Sequence, residues 1–459
     1  MLPAELNVKA ESRIAANAAG RLLTSATPAR ASELTSFHCR YDPGRQSAIP
    51  RRRVLYLAHR LPAPPDKGDR IRTYHVLTYL AARHDVWLAC FDDEPPSRKG
   101  AAALAELRRL CAGLAVVRWA PARAMVRAAA GLMRGCSLSV SAYDSPALRA
   151  AVAAWSLDRP FDAAISFSGC MAPYALAALA RRRVLDLCDA DSAKWRDYAR
   201  GSRGPWRLLA SYEANRLGRD ELAWSATADA TIVITARERE ALRGEASHTA
   251  IDRISIIGNG VDVPIDTSPP AASLGPVVAF VGAMDYPPNA GGVTWFLDQV
   301  WPLVRHEQPN ARLLVVGRRP PRLLRRRHGR AGLTVTGAVP DVGHYLRQAR
   351  CGIAPLRIAR GLPNKVLEML AWRRPVVVTR AVAACLTGTA ASGMRVADEP
   401  ALFARHVLAM LQDDALCERT AAAGQRHVLA RYAWGPRLAA FERLALGAGS
   451  HRADFADPV

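Results

Sequence analysis

Ile254-Ser255-Ile256-Ile257 is a short apolar run of strand length, and Val277-Val278-Ala279-Phe280-Val281 is another. Between them, Gly258 to Pro276 holds Asn259-Gly260, Pro264, Pro269-Pro270 and Gly275-Pro276, the punctuation of a linker. The same pattern stands on either side of this break. Upstream, strand-length runs occur at 54–58, 86–91, 114–118, 162–167, 183–187 and 230–234. Helical stretches rich in Ala, Leu and Arg, such as 71–82, separate most of them. Downstream, runs recur at 312–316, 333–336, 351–355 and 375–379, and a last helix at about 436–446 follows Trp434-Gly435. Strand alternating with helix predicts parallel sheets covered on both faces. The expected fold class is α/β, with two doubly wound, Rossmann-like domains facing a central cleft.

The chain has 459 residues, and at roughly 150 residues per domain that allows two or three domains. Residues 1–53 carry no persistent period and read as a disordered tail, or as the product of a start site assigned too early. The remaining bounds are 54–265 for the first domain, 266–430 for the second and 431–459 for the last helix and a tail. Half of the residues, 50%, are hydrophobic, which suffices for a sizeable core and excludes a wholly disordered chain. No apolar run reaches the roughly 18 residues that would span a bilayer, and the amino terminus lacks a secretory pattern. The nine Cys are not paired at metal-ligand spacing, so no metal site is expected. They read as small packed hydrophobes in a reducing compartment, the cytoplasm.

The formal net charge is +22, from 58 Arg and 5 Lys against 41 acidic residues. The Arg are spread along the chain among abundant Ala, which reads as compositional bias. Attraction to anionic surfaces is the sharper reading. A basic, non-enzymatic nucleic-acid-binding protein is the rival class, but no helix-turn-helix, zinc-finger or aromatic RNA-binding signature appears. No nucleic-acid partner is expected.

Ligands of open parallel sheets bind beyond the carboxyl ends of the strands, and the distinctive motifs are strand-end loops. In Pro355-Leu356-Arg357-Ile358-Ala359-Arg360-Gly361-Leu362-Pro363-Asn364-Lys365-Val366-Leu367-Glu368 a strand ends, a basic loop follows and Pro363 suits the first position of a helix. Free N–H groups in that turn, with Arg357, Arg360 and Lys365, suit a phosphate. Glu368, one turn on from Asn364, is placed to accept hydrogen bonds from ribose hydroxyls. Gly282, after the first strand of the second domain, would admit a ligand close to the backbone. Gly317-Arg318 ends the next strand, and Arg318 is within reach of a diphosphate. Seven Arg fall between 318 and 330, most of which read as a solvated face. Backbone groups around Val339 could pair with a base edge. In the first domain, Lys67-Gly68-Asp69 opens a helix and allows close approach of an anion. Asp186, Asp189 and Asp191 crowd a strand end, where Asp is uncommon. They could bind a sugar hydroxyl or orient a catalytic group. Helix capping by Asp191 and Ser192 is the plainer reading.

Taken together, these pieces resemble glycosyltransferase family 4, closest to the sugar transferases associated with exosortase (PEP-CTERM) exopolysaccharide systems. The matching pieces are Leu61-Pro62 through Arg72, Asp189 through Trp195, Asn259-Gly260-Val261-Asp262, Gly282-Ala283-Met284-Asp285-Tyr286, Val316-Gly317-Arg318-Arg319 and Arg357 to Glu368. The resemblance covers about 54–445 and implies a GT-B architecture, with acceptor bound by the first domain and nucleotide sugar by the second. It implies transfer with retention, no required metal or cofactor, and the nucleotide-sugar donor as substrate. It departs from the family at three points. Arg360 stands where many members carry the first of two Glu. Ala283 and Pro288-Asn289 stand near the places of a basic pair. A common strand-end His has no clear match, and Asp189 is its nearest candidate. The catalytic group is therefore expected to be Asp189, Lys365 and Arg357. Gly282, Arg318, Val339, Arg360, Gly361, Asn364 and Glu368 are expected to bind the donor. A saccharide or polyprenyl-linked acceptor is the expected second substrate. A GT-B sugar-nucleotide epimerase is the alternative within enzymes.

Arg123, Arg127 and Arg134 fall on one helical face between 118 and 134, with Met125, Val126, Leu132 and Met133 elsewhere around it. Peripheral docking on anionic lipid at the inner face of the cell membrane is one reading. A basic solvated helix packed on the sheet is the other.

Overall fold

The structure is a computed structural model that describes residues 50–65, 68–94, 97–243, 254–262, 264, 275–359, 363–386 and 393–447. It divides into two units: the first runs to Ile257 and takes in residues from Leu438 onward, and the second runs from Gly258 to Arg437.

The first unit is built on seven parallel strands, β1 (Arg53–Ala58), β2 (Asp85–Asp92), β3 (Gly113–Arg118), β4 (Phe161–Phe167), β5 (Ala180–Cys188), β6 (Ala230–Val233) and β7 (Ile254–Ile256). Their spatial order is β3-β2-β1-β4-β5-β6-β7. β1 pairs with β2 through Val54↔Val86 and with β4 through Val54↔Ala163, so it is central, and all six of its residues are buried. That is why it reads as an unbroken apolar run. It begins one residue earlier than the run suggested. Arg53 is buried, with its guanidinium 4.4 Å from the Trp87 ring centroid and 4.8 Å from that of Phe161, a cation–π seat.

The second unit has six parallel strands, β8 (Val277–Val281), β9 (Arg312–Val316), β10 (Leu333–Gly337), β11 (Cys351–Ala354), β12 (Val376–Val378) and β13 (Met394–Val396), in the order β10-β9-β8-β11-β12-β13. β13 has no counterpart among the sequence expectations. It is three residues long with Arg395 at its centre, and its pairing to β12 creates it. In both sheets the strand order reverses at the first strand, β1 beside β4 and β8 beside β11. Such a reversal opens a crevice beyond the strand ends. Helix Gly68–Arg83 extends the expected 71–82, and the last helix runs Trp434–Leu446.

Six Arg are buried among the described residues: Arg53, Arg70, Arg72, Arg350, Arg374 and Arg437. Arg374 donates to the Leu346 carbonyl at 2.7 Å, and Arg350 donates to that of Met410 at 2.8 Å. Part of the basic excess is thus structural. No helix among the described residues is long and apolar enough to cross a membrane.

Candidate functional site

At the reversal point of the second sheet, the loops after β8 and β9 are stitched together. Gly282 N–H donates to the Val316 carbonyl and Met284 N–H to the Arg318 carbonyl, both at 2.9 Å. A Cβ at position 317 would lie 1.8 Å from the Gly282 carbonyl oxygen, so only glycine permits this approach. Helix Pro287–Trp295 leads away from the β8 loop, and Asn289 in its first turn is 4% exposed. Its Nδ2 donates to the Ala283 carbonyl at 2.7 Å, and its Oδ1 accepts from Lys365 Nζ.

Lys365 belongs to helix Asn364–Ala371, which follows β11. Pro363 caps this helix rather than opening it, because its carbonyl already accepts from Val366 N–H at 2.8 Å. The Lys365 ammonium stands 5.2 Å from the Phe280 ring centroid, and burial lowers its pKa to about 8. Glu368, three residues on, is also partly buried. Burial pushes its carboxyl up to about 7, and Asp262 and Asp341 push the same way. Asp341 lies in the loop after β10 that carries Val339, where it accepts from Gly343 N–H at 2.8 Å. Asn364 Oδ1 is buried with no hydrogen-bond partner among the described residues.

The structure thus brings Gly282, Asn289 and Lys365 into contact, with Glu368 on the same helix and electrostatically coupled to the Val339 loop. Arg318 is partly buried, and its guanidinium has no partner among the described residues. Arg357 is exposed, and no contact ties it to Lys365. Arg360, Gly361 and, in the first unit, Lys67 lie outside the described residues. Of the Arg between 318 and 330, Arg319 pairs with Asp285 at 3.2 Å, whereas Arg322, Arg325, Arg326 and Arg330 are exposed, as a solvated face would be.

In the first unit the three strand-end carboxylates part company. Asp186 is fully buried and receives a forked ion pair from Arg72, Nε to Oδ2 at 2.8 Å and Nη2 to Oδ1 at 3.0 Å. It is structural, which corrects its reading as a sugar-binding or orienting carboxylate. Asp191 and Ser192 do not cap helix Asp191–Gly201. Ser192 instead gives its N–H and its hydroxyl to the two oxygens of Glu221, at 3.2 and 2.6 Å, and burial pushes Glu221 up to about 8. Asp189 remains: partly buried, with a carboxylate that has no hydrogen-bond or ion-pair partner among the described residues. It follows Cys188, whose φ of 65° puts it in the left-handed region, and Glu238 holds the next N–H, that of Ala190, at 2.8 Å.

The Gly68 loop has a different character from that expected. A Cβ on Gly68 would meet nothing within 4 Å, so packing does not demand glycine there. Asp69 accepts from Arg60 at 2.9 Å and faces His59 Nε2 at 3.6 Å. Burial would raise its pKa, but His59, Arg60 and the Arg70 N–H outweigh that and lower it. Asp69 is therefore already committed to protein partners. His59, stacked on Phe167 with ring centroids 5.6 Å apart, closes β1 at the reversal point of the first sheet. Its place directly after an apolar strand was the available signal for it. Among the described residues no group of three or more His, Cys, Asp or Glu converges as a metal site would.

Residues 275–413 match the family model described as "Glycosyl transferases group 1". No curated protein sequence matches the chain. Among solved structures, the chain is similar to sucrose-phosphate synthase from Thermosynechococcus elongatus, with 16% identity and a TM-score of 0.59 over 87% of this chain and 100% of that one. It is similar to HepE from Anabaena in complex with UDP, with 13% identity and a TM-score of 0.58 over 85% and 98%. It is also similar to an alpha,alpha-trehalose-phosphate synthase (UDP-forming) from Burkholderia vietnamiensis, with 13% identity and a TM-score of 0.55 over 86% and 100%. Residues 275–413 are thus similar to group 1 glycosyl transferases, and the α/β fold of two parallel sheets is that of GT-B glycosyltransferase structures.

Proposed function

We propose that the protein transfers a sugar from a nucleoside-diphosphate sugar to a hydroxyl of a saccharide or polyprenyl-linked acceptor. Transfer proceeds with retention, in exopolysaccharide assembly at the cytoplasmic side. The observation that carries this reading is the Lys365 ammonium seated against the Gly282 loop, where the second sheet reverses, with Glu368 one turn further along. HepE structures hold UDP and UDP-glucose, which supports a nucleoside-diphosphate donor.

In this reading negative charge builds on the diphosphate as the glycosidic bond to it breaks. Lys365, Arg318 and the N–H groups opening the Asn364–Ala371 helix stabilise that charge. Arg357, exposed at the start of that loop, adds charge from solvent, and Arg360 and Gly361 are assigned to donor binding as well. Glu368 accepts from the ribose hydroxyls, the backbone at Val339 meets the base, and Asn364 Oδ1 accepts from a donor hydroxyl. The first unit binds the acceptor: Asp189 orients its hydroxyl, and Lys67, Gly68 and Asp69 are assigned to the acceptor or its phosphate. No resident cofactor or metal takes part.

Saturation-transfer NMR with a panel of nucleotide sugars, followed by product analysis with and without acceptor, tests the proposal. Saturation of donor protons, with new glycoside formed only when acceptor is present, is the expected result. Conversion of donor without acceptor would instead mark an epimerase. DNA binding with a steep salt dependence and no donor binding would mark a nucleic-acid binder.

The two shifted groups predict the pH profile. Glu368 must be ionised to accept two hydroxyls, and Lys365 must be protonated to meet the diphosphate. The carboxylate is lost as pH falls through about 7 and the ammonium as pH rises through about 8. A narrow bell in kcat/KM for the donor is expected, highest between these values, because kcat/KM reports the free enzyme. A flat profile from pH 6 to 9 would remove both groups from the site.

Membrane contact is also proposed. Helix Pro121–Met133 buries only Ala124 and Gly131, while Val126 is 70% and Met133 87% exposed, with Met125 and Leu132 also in solvent. Arg123 and Arg134 are exposed beside them. Arg127 is not free for lipid, since it donates to the Ala142 carbonyl at 2.6 and 3.1 Å. An exposed apolar strip flanked by Arg suits the interface of an anionic bilayer. Flotation with phosphatidylglycerol vesicles is expected to carry the protein up, and Val126→Glu with Met133→Glu to abolish this. Equal flotation of wild type and double variant would refute it.

A further inference from the structure

Lys365 does not reach the Gly282 loop unaided. Asn289 sits between them, and the orientation of its carboxamide is chemically fixed. Only its oxygen can accept from an ammonium, and only its NH2 can donate to the Ala283 carbonyl. A Cβ at position 282 would come 2.9 Å from Asn289 Nδ2 and 3.3 Å from Lys365 Nζ, so the bridge lies directly against the backbone of that residue. The Phe280 ring closes another side of the ammonium at 5.2 Å. An ammonium has three donors, and one is given to Asn289.

We infer that Asn289 is a positioning residue: its carboxamide ties the ammonium of Lys365 to the Gly282–Ala283 backbone and so sets where the charge of an anionic ligand is met. That this ligand is the donor diphosphate rests on the function proposed above. The tie itself does not. A neutral amide suits the task better than a carboxylate. Aspartate at 289 would hold the ammonium equally near but cancel its charge, and it would lose the donor to Ala283.

The charged groups on the surrounding elements are Asp285, Asp262 and Asp341 in loops, Arg318 after β9, Arg357 before the helix and Glu368 on it. Burial, rather than any of these, lowers the Lys365 pKa. A charge introduced at 289 therefore has a clear signature. The chain has only five Lys, at 9, 67, 99, 194 and 365, so the full-length protein labelled with [ε-13C]lysine gives five resolvable signals, and Lys365→Arg identifies the one that matters.

In wild type that signal is expected to titrate near pH 8 and to shift on addition of UDP. In Asn289→Asp its midpoint is expected to rise by about one pH unit or more, because a neighbouring carboxylate favours the ammonium. Affinity for UDP should fall at least about tenfold as the positive charge is cancelled. Asn289→Ala, which covers a failure of the aspartate variant to fold, should move the midpoint by at least about half a unit. It should also lower kcat by about tenfold or more with KM changed less than about threefold, the mark of an interaction used in the transition state. Unchanged Lys365 titration in either folded variant overturns the inference. If the titration moves in the variants but UDP leaves the wild-type signal unshifted, the positioning role stands and the donor reading falls.

Discussion

Lys365→Ala is expected to lower kcat by about 100- to 1,000-fold, the loss seen when one preorganised charge-stabilising donor is removed, and to leave the fold unharmed. The second half follows from the same burial that lowers the pKa of this amine to about 8. A group whose charged form is disfavoured by the fold costs stability at pH values below the folded pKa, so its removal relieves that cost. Thermal unfolding at pH 7 should therefore be unchanged or slightly improved while turnover collapses. Lys365→Arg should not rescue, because a planar guanidinium does not fit the seat between Asn289 and Phe280. Turnover within about threefold of wild type in Lys365→Ala would remove the donor site as assigned.

Arg72→Ala is expected to have the largest effect on stability, about 3–5 kcal/mol, measured by urea unfolding followed at the Trp of the first unit. Asp186 is fully buried, and both its oxygens are taken by the one guanidinium. Burial raises its pKa even against the pull of Arg72, so without Arg72 the carboxyl must take up a proton to stay inside. A carboxyl whose folded pKa lies above its unfolded value loses stability as pH rises from the unfolded pKa through the folded one. The deficit should thus be smallest near pH 4 and grow toward neutrality. The pair can be removed together at lower cost, so Arg72→Met with Asp186→Leu should recover much of the loss. A single variant within about 1 kcal/mol of wild type at pH 7 would contradict this account of the pair.

Local sequence carried the sheets well. Twelve of the thirteen described strands, all but β13, coincide with apolar runs, because strands buried on both faces need an unbroken apolar stretch. β13 escaped because Met394–Val396 has no such run and exists through its neighbour. The individual roles of polar residues were far less legible. Asp186, Asp189 and Asp191 look alike in sequence, and what separates them is Arg72, 114 positions from Asp186. Asn289 follows Pro287-Pro288 and reads as an ordinary helix start. Its meaning depends on Lys365, 76 positions on. Arg357 stood out as a cation near a helix start, yet no packing holds it, and its side chain faces water. Charges were visible in the sequence, but which of them the fold neutralises depended on distant partners.

The discontinuity of the first unit has a consequence for how the protein is made. Glu442, in the helix that begins at Trp434, accepts from Tyr79 at 3.1 Å and meets His84 at 2.8 Å, while Arg182 donates to the Leu444 carbonyl at 3.2 Å. Residues 258–437 separate those contacts from the rest of their unit. At roughly 5–20 residues per second the ribosome spends roughly 9–36 s on that interval. For that long the partners that Tyr79, His84 and Arg182 find in the last helix are not yet synthesised. Chaperone dependence during translation, and aggregation of fragments that stop short of Leu438, are the expected signs of this delay.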